Sequence, residues 1–289
     1  GALTPDELTV ALDARADIVA WREELVAGLD RPARVHVKLD TGMGRLGTRD
    51  PAAATRVADL VAATPHLELG GAMTHFATAD ELGDAFFGEQ LERFAAWAGP
   101  LRERHRGLVA HAANSAATLR DPASHFDMVR AGIAIYGLDP FHGDAAARGL
   151  EAALELRSYV AEAKACAAGE SAGYGRRFVA GAPTTIATVP IGYGDGVRRG
   201  LTDNADVLIG GRRRPLRGTV SMDNLTVDLG PGGGGARRGD EAVLIGEQGG
   251  ERIPAEEWAR RLATINYEVA TGIARRVPRV HHRDGDPVP

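Results

Sequence analysis

Cysteine and lysine are almost missing from this 289-residue chain, and each shortage excludes something. A single cysteine, Cys166, rules out an internal disulfide and fits a reducing cytoplasm. No apolar run approaches the ~20 residues that span a bilayer, and no basic start followed by an apolar stretch suggests a signal peptide. Excess positive charge is lacking too. The formal net charge is −5, which leaves no electrostatic footprint for nucleic acid or an anionic membrane. The runs Arg212-Arg213-Arg214 and Arg275-Arg276 are short and read as solvated faces or structural ion pairs. Lysine is the shortage with most consequence: only Lys38 and Lys164 occur among 34 Lys and Arg residues, so lysine chemistry has two candidates. No metal-ligand pattern stands out, and His281-His282 lies in a charged tail.

What is present fits a soluble globular protein, with 44% hydrophobic and 25% charged residues. Thr4-Pro5-Asp6-Glu7 reads as a capping box with proline at the first helical position, opening a helix to about Arg15. Strands are expected over residues 17–21, 35–39, 67–75 and 108–111, and helices over 51–64 and 84–97. The second strand ends in a glycine-rich turn, Asp40-Thr41-Gly42-Met43-Gly44-Arg45. Strands alternating with helices in short steps argue for parallel βαβ units. After about Leu138 the pattern changes to strand-like runs between glycine turns, with one clear helix over 255–262 and Gly232–Gly235 as a flexible loop. The expected division is residues 1–140, a partial barrel, and 141–289, a mostly β domain. Four or five strands cannot close an eight-stranded barrel, which takes about 250 residues.

In parallel α/β architectures the working residues sit at the carboxyl ends of strands. Arg45, His75, His111 and Arg130 fall there. Asn114-Ser115 with Gly132-Ile133 suggests an anion site of helix-start and glycine N–H groups. In the β half, Tyr174 and Tyr193 lie between glycines, where a phenol can transfer protons if a nearby cation lowers its pKa. Ser221-Met222-Asp223 and Asn266-Tyr267-Glu268 are turn or core positions unless a cleft gathers them.

Taken in order, several segments resemble the alanine racemases, pyridoxal phosphate (PLP) enzymes of fold type III. Residues 37–47 (Val-Lys-Leu-Asp-Thr-Gly-Met-Gly-Arg-Leu-Gly), 74–80, 111–117, 128–137, the two tyrosine segments, 221–223 and 264–269 all match. The resemblance implies a (β/α)8 TIM-type barrel followed by a β domain, in a cytoplasmic head-to-tail homodimer that interconverts L- and D-alanine for peptidoglycan precursors. It implies that Arg130 faces the pyridine nitrogen of PLP and, keeping its own proton, leaves that nitrogen unprotonated. His111 would pack against the ring and bond Arg130. Ser115, Gly132, Ile133 and Tyr267 would hold the phosphate. Tyr174 would be one of two bases, reaching the site from the partner subunit. Arg45 would contact the substrate carboxylate, and Tyr193, Met222 and Asp223 would line the substrate path. Lys38 matches a position carbamylated in some members.

One departure stands out. The family's second base and cofactor anchor is a Schiff-base lysine after the first barrel strand, and nothing like its segment occurs in these 289 residues. Lys38 lies in another motif, and Lys164 is expected on a solvent-facing strand. The anchoring lysine and first strands are therefore expected in sequence preceding Gly1, and the polypeptide itself is expected to be inactive. The rival readings are a serine or broad-specificity racemase, a non-catalytic PLP-binding protein, and a barrel completed by another chain.

Overall fold

A computed structural model describes residues 2–283 and 286–288. The chain divides into two compact units, one ending at Ile135 and one starting at Tyr136.

The first unit opens with Pro5–Asp13 (α1), capped by Thr4 through the capping box its sequence specifies. Ile18–Ala20 (β1), Glu23–Ala27 (α2), Ala33–Lys38 (β2), Pro51–Ala63 (α3), Leu67–Met73 (β3), Phe86–Arg104 (α4), Val109–His111 (β4) and Ser115–Arg120 (α5) follow. The strands form one parallel sheet in the order β1-β2-β3-β4. These are βα units of a TIM-type barrel, four strands of it among the described residues. Strand alternation turns Val35 and Val37 to one side, where Val57 and Val61 of α3 also bury their side chains, and His36 and Lys38 to the other. All four polar-face and apolar-face positions are buried, so β2 holds a cation and an imidazole inside the fold.

Two elements differ from the sequence expectation here. Helix α4 runs past Pro100 to Arg104 instead of stopping near Trp97. Burying Phe94, Trp97 and Leu101 outweighs the one hydrogen bond that Pro100 cannot donate. Helix α2 is five residues long, too short to declare a period.

The second unit is mostly β, as its turn spacing predicts. Leu156–Tyr159 (β5), Glu162–Cys166 (β6), Ser171–Ala172 (β7), Phe178–Val179 (β8), Thr184–Val189 (β9), Asp206–Ile209 (β10), Arg212–Pro215 (β11), Leu225–Gly230 (β12), Glu241–Gln248 (β13) and Glu251–Ile253 (β14) precede two helices, Ala255–Arg261 (α6) and Asn266–Thr271 (α7). One sheet runs β11-β10-β13-β14 with β5 also paired to β13, and another runs β12-β9-β6. Lys164 is exposed on β6, as expected. The glycine run 232–235 connects β12 to β13 through a tight turn. Gly232, Gly233 and Gly234 all take positive φ, and Gly233 is buried against Thr185.

Helix α7 was not legible as a helix because Asn266 reads as a turn residue. Its amide is instead buried and donates Nδ2 to Asp139 O at 2.8 Å and to Glu256 Oε1 at 3.0 Å. The same carboxylate oxygen accepts from Asp139 N at 3.0 Å. Glu256, 1% exposed, thus ties α6 and α7 to the segment after Gly137. Glu256→Ala should cost about 2–4 kcal/mol, because two buried donors lose their acceptor and a void remains. Urea unfolding of the variant beside the parent measures it, and a loss under 1 kcal/mol on that scale would show the lock to be dispensable.

Candidate active site

The carboxyl ends of β2, β3 and β4 deliver their side chains to one place. Beyond β2, the Asp40 carboxylate accepts from Gly42 N at 3.0 Å and from Gly44 N at 3.0 Å, and Arg49 Nε reaches it at 3.2 Å. Although burial opposes it, these donors hold Asp40 below the usual carboxylate range. The turn needs its glycines: Gly47 has φ +121°, and a Cβ there would stand 2.8 Å from Asp40 N. Arg45 projects from this turn and is exposed.

Behind the turn, Thr41 Oγ1 pairs with Thr74 Oγ1 at 2.8 Å, and Gln90 Nε2 donates to Thr41 Oγ1 at 3.1 Å. Gln90 also accepts from Ala77 N at 2.8 Å. This buried glutamine of α4 cross-links two strand-end loops. Nothing in its helical position announced that role.

Arg130 organises the centre. Its Nη1 donates to His111 Nδ1 at 2.6 Å; its Nη2 donates to Thr74 O at 2.7 Å and Ala112 O at 3.0 Å and lies 3.2 Å from His75 Nδ1. Its Nε–H has no partner among the described residues. Burial lowers the guanidinium to about 10, still fully charged at neutral pH. Burial first, then Arg130, drives both imidazoles down, His75 to about 4 and His111 to about 3. Both are therefore neutral. Lys38, 5% exposed, is lowered by burial and by Arg45 and Arg130, with Asp40 opposing. Its ammonium has no hydrogen-bond partner among the described residues. The cluster is short of negative charge.

Beside it, Asn114 caps α5 by accepting from Ala117 N at 2.9 Å. Ser115 Oγ accepts from Gly132 N at 2.8 Å and Ala134 N at 3.3 Å, so the two segments read as an anion site do meet. Gly132 is exposed, and a Cβ there would meet only Ser115 Oγ, 3.9 Å away. Ile133, buried, begins a short 3-10 turn.

In the second unit, Tyr174 is 74% exposed and its carbonyl accepts from Thr219 Oγ1 at 2.8 Å. Tyr193 N donates to Ser221 O at 2.9 Å, and Gly194 N to Met222 O at 2.7 Å. A cavity of about 300 Å³ lies between Tyr174, Thr219 and Ser221. The tyrosine segments and Ser221-Met222-Asp223 are thus neighbours on one surface, with Met222 and Asp223 exposed. Tyr267 lies on α7 of the same unit.

Two residues joined to the first-unit cluster escaped sequence reasoning. His36 Nδ1 stands 2.7 Å from His111 Nε2, and His36 Nε2 stands 3.1 Å from Asp17 Oδ2. The visible signal was a histidine at a buried, alternating strand position.

Known proteins agree with this architecture over nearly all of the chain. Residues 2–140 match the family described as alanine racemase, N-terminal domain, and residues 153–281 match alanine racemase, C-terminal domain. The chain is 42% identical over 289 residues to the alanine racemase of Symbiobacterium thermophilum, covering 97% of this chain and 76% of that protein. It is 39% identical over 291 residues to that of Geobacillus stearothermophilus, covering 98% and 74%. The crystal structure of alanine racemase from Bacillus anthracis with bound L-Ala-P superposes with a TM-score of 0.88 at 36% identity, covering 100% of this chain and 76% of that one. Among the described residues no helix is long and apolar enough to cross a membrane, and no His, Cys, Asp or Glu cluster suits a metal.

Proposed function

Since this chain belongs to the alanine racemase family, we propose that its strand-end cluster is the PLP pocket of an enzyme that interconverts L- and D-alanine. One observation carries the reading: Arg130, fixed by His111 and two strand-end carbonyls, keeps an Nε–H with no partner among the described residues, and two residues on, exposed Gly132 meets Ser115 with no side chain of its own in the way.

The donor set fits the cofactor's ring and phosphate. Arg130 would donate to the pyridine nitrogen, and its charge at neutral pH means that it donates without surrendering the proton. His111, neutral, would pack against the ring. Ser115 with the backbone of Gly132 and Ile133, and Tyr267, would hold the phosphate, as the family resemblance implies. When bound, PLP supplies an electron-withdrawing ring that acidifies the substrate's α-proton. This chain's own residues then do the positioning and the proton transfer. Arg45 binds the alanine carboxylate, and its exposure beyond β2 supports that. Tyr174 takes or returns the α-proton on one face through its phenolic oxygen. Tyr193, Met222 and Asp223 line the substrate's path. The exposure of Tyr174 and Met222 suits side chains that serve a partner copy, in a cytoplasmic head-to-tail homodimer. Lys38, a buried cation with no hydrogen-bond partner among the described residues and with Arg45 and Arg130 acting on it, suits carbamylation, which would give it a negative charge.

Racemisation on both faces needs two proton-transfer groups, and only the tyrosine is present in these 289 residues. A polypeptide of this sequence should bind PLP non-covalently and show no alanine racemisation above background. Borohydride reduction in the presence of PLP, followed by intact mass, should give no pyridoxyl adduct on Lys38 or Lys164. A single adduct at Lys38, or measurable racemisation, would mean that the site works differently. Supplying the segment with the family's lysine should restore activity, and D- and L-serine in competition then rank the substrates.

A further inference from the structure

The Arg130 cluster has an inner side that the proposed chemistry does not use. It continues from His111 to His36 and from His36 to Asp17, ahead of β1. The path is built into the sheet. Gly71 stands opposite His36 in the β2–β3 register, and a Cβ there would collide with His36 Nδ1 and lie 2.7 Å from Cε1. Only glycine lets the imidazole cross β3 toward β4, where His111 ends the strand. His36 is 4% exposed and His111 3% exposed, so water does not set their protonation.

We infer that Asp17 and His36 are positioning residues that hold His111 in one tautomer, and through it fix the guanidinium of Arg130. The inference rests on the reading above only for its purpose, that Arg130 faces the cofactor ring.

The polarity follows from counting protons along the chain. Arginine can only donate, so at 2.6 Å His111 Nδ1 must be the acceptor and its proton sits on Nε2. Nε2–H then donates across 2.7 Å to His36 Nδ1. His36 in turn carries its proton on Nε2 and donates to Asp17 Oδ2 at 3.1 Å. The carboxylate, an acceptor only, closes the series. Arg34 offers the opposite polarity, because its Nη1 lies 3.2 Å from His36 Nε2 and could donate there. That would put a proton on His36 Nδ1, force one onto His111 Nδ1, and set N–H against N–H at the shortest contact. Arg34 Nη1 instead has a better acceptor in Asp17 Oδ2 at 2.8 Å. Asp17 therefore does two things: it accepts from His36, and it diverts Arg34.

Magic-angle-spinning ¹⁵N spectra of histidine-labelled protein, assigned with His36→Gln and His111→Gln, read the tautomers directly. Both residues should show a protonated Nε2 and an unprotonated Nδ1 at neutral pH. Asp17→Leu frees Arg34 to donate to His36, which sets the two arginines against each other along the series. His111 should then populate the Nδ1–H form that the parent lacks, its contact with Arg130 should break in that form, and non-covalent PLP affinity should drop several-fold. Asp17→Glu should restore both. A protonated Nδ1 on either residue in the parent overturns the inference, and so does a His111 whose tautomer ignores Asp17→Leu. The parent spectrum decides the polarity even where a variant fails to fold. The expected tautomers in a protein that binds no PLP would undo the cofactor assignment of Arg130 and leave the relay standing.

Discussion

Arg130→Ala should destabilise the first unit by at least about 3 kcal/mol and abolish PLP binding, the largest effect expected of any single side chain in the cluster. The side chain satisfies two carbonyls, Thr74 O and Ala112 O, and the Nδ1 acceptor of His111. Removing it leaves three buried acceptors without a donor, each worth about 1–3 kcal/mol when unpaired. Water entering the vacated volume recovers part of that, which sets the lower figure. Arg130→Lys separates charge from geometry. Lysine keeps the cation but offers a single nitrogen, so it cannot reach strand-end carbonyls and an imidazole at once. The Lys variant should lose about half as much stability and still bind PLP poorly. Hydrogen exchange in β2 and β3 under increasing urea reads the local loss. An alanine variant with unchanged protection would mean that Arg130 is held by the cluster and does not hold it.

Such a cluster is only half visible in a sequence. Alternation placed Lys38 and His111 at strand ends, and the resemblance of residues 37–47 and 128–137 to the family singled out Arg45 and Arg130. The capping box at Thr4 and the Asn114 cap could be read because their partners are three residues away. Asp17 and His36 could not, since their contacts join positions 19 and 75 residues apart. Gln90 was hidden for the same reason, since its partners Thr41 and Ala77 lie 49 and 13 residues away. Helix α4 was cut short because Pro100 is a local signal, whereas the burial of Leu101 that overrides it depends on packing. Local chemistry can be read from neighbours in the chain; networks that cross a sheet depend on register, which a glycine such as Gly71 controls without announcing it.

The same network makes stability depend on mild acid. His111 and His75 are held neutral, at about 3 and about 4, whereas an unfolded imidazole titrates near 6.5. Above pH 7 neither state binds these protons, so stability should be flat. Between pH 6.5 and about 4 the unfolded chain takes up protons that the folded one refuses, so stability falls as pH falls. Each group contributes about 1.4 kcal/mol per pH unit in that window. His75 is half-buried and counts for less, so the drop from pH 7 to pH 5 should be about 2–4 kcal/mol for the pair. His36, also lowered chiefly by burial, acts in the same direction. Asp40 titrates below this window and does not account for the loss. His111→Gln should roughly halve the slope while leaving its onset near pH 6.5, and urea midpoints at pH 7, 6 and 5 measure both. Equal midpoints at pH 7 and pH 5 would mean that the imidazoles titrate freely, and that neither burial nor Arg130 holds them neutral.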